Sequence, residues 1–203
     1  MDFNKSKKSG GASKNGRVED GTYAARIVQV VDLGVQKGEY KGEETIKPEV
    51  MITFEFPTET LTIDGEEKPR WLSKQFTVSM NEKSALYALV QAFDIDGKAT
   101  RRGSKPEGVL WLAGMVTVGS TASGNAKVAG VSRLMKGLTV PELFNDPIYF
   151  DLDSTSDANN DSFEKLPQWL QEKIQTAMNF DSSKFANGSS NSSDDQKVSQ
   201  SPF

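Results

Sequence analysis

Few residue types suited to catalysis are present in this chain. Its 203 residues include no histidine and no cysteine, which removes the commonest general base, thiol nucleophiles and zinc–thiolate sites. Asp94 with Asp96, and Asp151 with Asp153, have the i, i+2 spacing of oxygen-rich metal loops, but the later glutamate of an EF-hand is missing after Asp94. No Gly-x-x-x-x-Gly-Lys-Ser/Thr phosphate loop occurs. We therefore expect no enzyme, cofactor or metal, with carboxylate catalysis as the minor alternative.

Aromatic and basic side chains suggest binding chemistry instead. Trp71 lies on the polar face of an alternating segment, beside Arg70. Exposed rings stack on nucleobases, and basic side chains neutralise phosphates. A structural role for Trp71, packed under a loop at a strand end, is the alternative. The residues expected to contact a nucleic acid are Lys37, Tyr40, Lys41, Arg70, Trp71, Lys74, Arg101, Arg102, Lys127 and Arg133.

The net charge of −4 is unevenly distributed. Residues 151–203 hold four lysines against nine acids, which leaves residues 1–150 slightly positive. Within that part, residues 1–17 hold five basic residues against Asp2 alone. A basic head and an acidic rear fit a polyanion binder with a competing tail, although two solvated tails would give the same pattern.

Hydrophobic periodicity predicts the elements that position these residues. Alternation is typical of half-buried strands, and recurrence at i, i+3, i+4 and i+7 is typical of helices. The chain is too poor in apolar runs for a membrane span. The predicted strands are 21–33, 50–56, 70–80, 115–119, 127–134 and a short 147–152, and the predicted helices are 82–93 and 163–178.

Several local features accompany these elements. The first strand is expected to bulge near Gln29. Residues 34–44 are expected to form a mobile loop with Tyr40 at its tip, which could drape over a nucleic acid strand or equally be an ordinary hairpin tip. Asn81 is the predicted cap of the first helix. Trp111, in a short apolar piece, is expected in the core.

Three strands, a helix and a hairpin follow the element order of an OB fold. The prediction is a mainly β, five-stranded barrel with one inter-strand helix, an extra C-terminal helix and disordered tails. An open sheet or a sandwich is the alternative. The expected organisation is a basic tail (1–19), the OB domain (20–153), a helical extension (154–180) and a tail (181–203) that ends in Ser-Pro-Phe.

Four segments carry a resemblance to a known family. Residues 21–34, 50–56, 68–84 and 163–174 resemble bacteriophage proteins taken to be single-stranded DNA-binding replication proteins, and the resemblance covers residues 20–178. It implies an OB fold that binds single-stranded DNA without sequence preference. It also implies a role in phage DNA replication or recombination, in the cytoplasm of an infected bacterium.

The C-terminal tip resembles another group of proteins. Pro202 and Phe203, behind Asp194 and Asp195, resemble the tip by which bacterial single-stranded DNA-binding proteins recruit partner enzymes, although Lys197 interrupts the acids. This implies replication or recombination proteins as partners. The alternative function is a protein-interaction module whose barrel and C-terminal helix bind such partners. The oligomeric state is left open, with a dimer as one option.

Overall fold

The computed structural model describes residues 17–98 and 106–188 and is mainly β. Six strands form one sheet, and three helices lie between or after them. The strands are β1 (Gly21–Tyr40), β2 (Glu43–Ile63), β3 (Glu66–Thr77), β4 (Ala113–Ser120), β5 (Ala126–Ser132) and β6 (Ile148–Phe150). The helices are α1 (Ala85–Phe93), α2 (Asp157–Glu164) and α3 (Gln168–Gln175), and 3-10 turns cover Pro106–Val109 and Ser182–Gly188.

The sheet has the order β3-β2-β1-β4-β5, all antiparallel, and β6 adds to β1 in parallel. The mainly β class and the helix between the third and fourth strands are confirmed. Register shifts in β1 between Ile27 and Gln29, and between Asp32 and Gly34, bend the strand, so the bulge near Gln29 is confirmed. Within the described residues no ladder joins β3 to β5, so the sheet is not closed into a barrel.

The prediction of a mobile loop at residues 34–44 is wrong, and its alternative, an ordinary hairpin tip, is what the structure shows. β1 and β2 continue as a two-stranded hairpin to a two-residue turn at Lys41 and Gly42. Both turn residues have positive φ, 55° and 83°, as a type I′ turn requires. Residues 37–44 are all exposed, so neither face of this hairpin is buried. Without a buried face the sequence shows no alternation of apolar and polar residues, and the strands could not be recognised from it.

The first helix begins later than predicted. Ser84, not Asn81, is its N-cap, because the Ser84 Oγ accepts a hydrogen bond from the Tyr87 amide at 3.1 Å. Asn81 instead accepts from the Lys83 amide in the preceding turn. β3 correspondingly ends at Thr77 rather than at residue 80.

A first core lies between the inner face of the curved sheet and α1. It contains, among others, Ile27, Val30, Ile52, Phe54, Phe56, Phe76, Leu89, Phe93, Val116 and Val128. Val18 joins this core, and the segment around it is tied down by the bond from Ser120 Oγ to Asp20 Oδ1 at 2.7 Å. The folded part therefore includes residues 17–19, which the prediction assigned to the tail.

A second core covers the outer face of β1. It contains Val31, Leu33, Met51, Phe150, Leu152, Leu170 and Ile174, with Phe180 and Phe185 packed against it. Of the predicted helix 163–178, residues 168–175 form α3 with Pro167 as its N-cap, while residues 163 and 164 end a separate helix, α2, which was not predicted. Since Phe185 packs here, the predicted tail boundary at residue 181 lies too early.

Among residues 17–98 and 106–188, no helix has the length and apolar character needed to cross a membrane.

Candidate nucleic-acid interface

Three polar or amphipathic residues form a row across the outer face of the sheet. Arg26 of β1 pairs with Glu55 of β2, and Glu55 pairs with Trp71 of β3. Side chains alternate along a strand, and the neighbours Phe54, Phe56 and Leu72 belong to the inner core. The side chains of the row therefore lie on the outer face of the sheet, opposite the first core. The predicted position of Trp71 on the polar face of its strand is confirmed.

Glu55 is the centre of this row. Its carboxylate is fully buried, at 0% exposure. Its Oε1 accepts from the Phe144 amide at 2.6 Å. Its Oε2 accepts from Asn145 Nδ2 at 2.6 Å, from the Asn145 amide at 3.3 Å and from Trp71 Nε1 at 3.0 Å. Four donors offset the cost of burying the carboxylate.

Trp71 is held at one edge and left open elsewhere. Its Nε1 donates to Glu55, while 40% of the residue remains exposed. A ring whose polar edge is fixed loses less side-chain entropy when a ligand stacks on it. We call Trp71 and Glu55 together the Trp71 platform.

The loop after β5 reaches the platform because Arg26 holds it. The Arg26 guanidinium donates to the carbonyls of Pro141, Val140 and Trp111, at 2.7, 3.0 and 2.8 Å. Phe144, three residues after Pro141, is 62% exposed. Neither Glu55 nor Phe144 is among the contact residues predicted from the sequence. The available signal was an acid between two core phenylalanines, Phe54 and Phe56.

A second aromatic and basic group lies at the tip of the β1–β2 hairpin, which we call the arm (residues 35–48). The Tyr40 ring lies 5.4 Å from Lys41 Nζ and 5.9 Å from Lys47 Nζ. Tyr40 and Lys41, two of the predicted contacts, therefore lie together at the tip of the arm, and Lys47 lies beside them. Lys37 faces the other side and forms an ion pair with Glu44 at 3.6 Å.

The platform and the arm are far apart along β2. Trp71 pairs with Glu55, and Tyr40 pairs with Glu43, which lies twelve residues earlier on the same strand. At about 3.3 Å per residue the separation along the strand is about 40 Å. The two sites could share only an extended ligand.

Arg70 and Lys74, two of the predicted nucleic-acid contacts, donate hydrogen bonds to backbone carbonyls of the protein itself. Arg70 precedes Trp71 and points to the other side of β3, where it donates to the carbonyls of Thr60 and Arg17. Lys74 also points inward, and its Nζ donates to the Val128 carbonyl at 3.2 Å and lies over the Phe76 ring. Neither cation shares the face of Trp71.

The remaining predicted contacts divide by position. Lys127 is exposed and precedes the inward-facing Val128, so it projects outward from β5. Arg133 is exposed just beyond the end of β5. Arg101, Arg102, Pro202 and Phe203 lie outside the described residues.

Trp111 is not in the core, so that prediction is wrong. It is 52% exposed and has a φ of 65° at the bend between the 3-10 turn Pro106–Val109 and β4. Its amide donates to the Ile27 carbonyl at 2.9 Å. The apolar neighbours Leu110 and Leu112 face inward, which explains why the run looked uniformly buried.

The acidic pairs serve the local backbone. Asp94 follows α1 and its carboxylate accepts from the Lys98 amide at 3.0 Å. Asp151 Oδ1 accepts from the Asp153 amide at 2.9 Å. Within the described ranges, no group of three potential metal-ligating side chains comes together.

A separate apolar groove of about 480 Å³ opens between α1 and the sheet. Its walls include Val30, Ile52, Leu86 and Phe93, and Asp32 lies on its rim. Burial raises the pKa of the Asp32 carboxyl, and the charges of the neighbouring acids add to this, against a lowering by the amide of Gly34.

No known protein family, curated protein or solved structure matches this chain. The function is therefore inferred from the chain's own residues and their geometry.

Proposed function

We propose that this protein binds single-stranded DNA without sequence preference, and that the outer face of β2 and β3 is its principal binding surface. The observation that carries the proposal is Trp71, an exposed ring whose Nε1 is fixed by the buried Glu55. Base–aromatic stacking is tolerant of sequence because every base has a π-face. A helix suited to a DNA groove is not needed in this arrangement.

An OB-type frame is part of the proposal. The two edge strands of the sheet approach each other where Lys74 Nζ donates to the Val128 carbonyl. A curved five-stranded sheet with a side-chain contact at its seam, and a helix between strands three and four, is consistent with a partly open Greek-key barrel. In such barrels the face of strands two and three binds oligonucleotides.

Basic groups on the neighbouring strand β5 and on the distant arm support binding of a phosphate backbone. Lys127 projects outward from β5, which meets β3 at the Lys74 seam. The arm supplies Lys41 and Lys47 beside Tyr40. Together they would let a strand run from the platform along the sheet.

The proposal is tested by titrating labelled oligo(dT) of about 20 nucleotides, longer than the about 4–16 nucleotides of one OB-fold site, and a duplex of equal length. We expect tighter binding to the single strand and a steep loss of affinity with salt. A single-stranded RNA of the same length separates DNA preference from general base stacking. Equal affinity for duplex and single strand at moderate salt would contradict the proposal.

A role in phage DNA replication or recombination, in the cytoplasm of an infected bacterium, is proposed on the resemblance of residues 20–178 alone. Recruitment of replication proteins by Pro202 and Phe203 is proposed on the resemblance of the tip. A protein that lacks residues 189–203 should keep its DNA affinity and lose capture of a replication partner. Much weaker DNA binding by this protein would place part of the segment in the DNA site.

The second candidate function is a protein-interaction module. The groove beside α1 supports it, because a largely apolar groove of about 480 Å³ is large enough for the side chains of a partner segment. Replacement of Leu86, which is half-buried in the groove wall, by Lys should then abolish partner capture and leave DNA binding intact.

A further inference from the structure

Trp71 is not the only aromatic residue held by Glu55. The Phe144 amide donates to Glu55 Oε1 at 2.6 Å, while Trp71 Nε1 donates to Glu55 Oε2 at 3.0 Å. One carboxylate group thus fixes one atom of each aromatic residue. Both residues remain open to solvent, Phe144 more so than Trp71.

The contacts that hold the loop around Phe144 do not depend on its side chain. The loop is fixed by its backbone: Arg26 binds the carbonyls of Val140 and Pro141, and Glu55 binds the amides of Phe144 and Asn145. None of these bonds uses the Phe144 ring. The backbone is therefore held while the ring is presented to solvent.

We infer that Phe144 is a second base-stacking residue beside Trp71, and that Glu55 is the positioning residue for both. The inference rests on the proposed function, and the ligand is the same single-stranded DNA. One carboxylate holds Trp71 by its indole N–H and Phe144 by its backbone amide, so that their rings would stack on neighbouring bases of one strand. A buried carboxylate is suited to this role because it accepts several hydrogen bonds at once.

Both side-chain oxygens of Glu55 must act as hydrogen-bond acceptors to hold Trp71 and the loop. Its two oxygens accept four hydrogen bonds. The amide of a glutamine would keep the shape but would turn an NH2 group toward donors on one side. Glu55→Gln should therefore release one ring while the sheet beneath it persists.

The test measures the affinity for oligo(dT) of the full chain and its variants, each checked for an unchanged thermal midpoint. Phe144→Ala should weaken binding by about 5- to 150-fold, the range for loss of one stacked base. Phe144→Tyr, which keeps a ring, should restore binding. Trp169→Ala is the matched control, since Trp169 is an exposed tryptophan on α3 and should bind as the unaltered protein does.

Glu55 is tested in two backgrounds. In the unaltered protein, Glu55→Gln should lower affinity. In a protein that already carries Trp71→Ala and Phe144→Ala, it should change affinity no further, because the rings through which it acts are gone. An additional loss in that background would show a general structural effect and would overturn the positioning role.

The outcomes separate the inference from the proposed function. If the unaltered protein does not bind oligo(dT), the proposed function fails and the inference fails with it. If the protein binds, Trp71→Ala weakens binding and Phe144→Ala does not, then only the second stacking residue is refuted. If Phe144→Ala lowers the thermal midpoint, Phe144→Leu replaces it, and unchanged binding by that folded variant refutes the inference equally.

Discussion

Trp71 and Glu55 lie directly opposite each other on β3 and β2, and the indole Nε1 donates to the buried carboxylate at 3.0 Å. The hydrogen bond therefore joins a fully buried carboxylate to a side chain that is partly exposed to solvent. The carboxylate would be costly to bury alone, and the bonds from Trp71 and from the loop offset that cost. As a result, an aromatic ring is fixed at the surface of the sheet.

Lys127 provides a test of the electrostatic part of the proposal. Its exposed side chain points outward from β5 beside the seam with β3. Lys127→Ala should weaken binding to all sequences alike and should reduce the slope of log affinity against log salt by about 0.7, as expected for one phosphate contact on a single strand. Lys83→Ala is the matched control, because Lys83 is an exposed lysine in the turn before α1, which packs on the inner side of the sheet. An unchanged slope for Lys127→Ala would exclude Lys127 from the binding surface.

Tyr40 should matter only for long ligands. The arm lies about 40 Å from the platform along β2, so a short strand bound at Trp71 cannot reach Tyr40. Tyr40→Ala should therefore lower affinity for oligo(dT) of about 20 nucleotides and leave that of about 5 nucleotides unchanged, within the range of OB-fold site sizes. Equal losses at both lengths would mean that Tyr40 acts through the fold.

Strands could be predicted from the sequence where one face is buried and the other is exposed to solvent. Alternation located β4 and β5, and it placed Trp71 on the outer face of β3. It failed in the arm, because both faces of that hairpin are exposed, and at Trp111, because a left-handed residue interrupts an apolar run.

The candidate site was only partly predictable, since it depends on long-range pairing. Glu55 and Phe144 are 89 residues apart, and no local pattern joins them. Arg70 and Lys74 were predicted to contact DNA because both are basic and lie within three residues of Trp71 in the sequence. Strand geometry places both on the opposite side, where backbone carbonyls accept their hydrogen bonds.

Gly34 should be essential to the docking of the C-terminal helices on β1. It has a φ of +68°, and a Cβ there would lie 2.6 Å from Leu152 Cδ2 and 2.7 Å from Ala177 Cβ. Gly34→Ala should therefore lower the free energy of unfolding by about 2–4 kcal/mol, from backbone strain and overpacking together. Gly42→Ala, with φ +83° and open space around it, should cost only the strain, about 1–2 kcal/mol. Denaturant unfolding measures both, and equal losses would show that Gly34 makes no critical contact.

Asp32 should destabilise the protein near neutral pH. Burial, with added repulsion from Asp151 and Asp153, raises the pKa of its carboxyl in the folded state. Because the folded state holds the proton of Asp32 more tightly, the contribution of this group to stability is fully present below the unfolded pKa of about 3.9. That contribution is lost as the pH rises through the folded pKa, where the buried carboxyl must ionise. Asp32→Asn, which keeps an acceptor for the Gly34 amide, should be more stable than the unaltered protein at pH 7.

The pH dependence of that difference is the diagnostic measurement. Thermal midpoints of both proteins should converge as the pH falls below the unfolded pKa of Asp32, because the carboxyl is then protonated in the folded and the unfolded state alike. Each kcal/mol of difference corresponds to about 2–4 °C for a chain of this size. A constant difference across the pH range would show that the charge of Asp32 is not the cause.

The fluorescence of Trp71 itself reports base stacking on the sheet directly. The chain has three tryptophans, so Trp111→Phe with Trp169→Phe leaves Trp71 as the only tryptophan whose emission is recorded. Stacking on a base should quench this emission in proportion to bound oligo(dT), and Trp71→Ala should cost about 1–3 kcal/mol of binding. If oligo(dT) binds while the Trp71 emission and the affinity of Trp71→Ala stay unchanged, Trp71 is not a stacking residue and the account is contradicted.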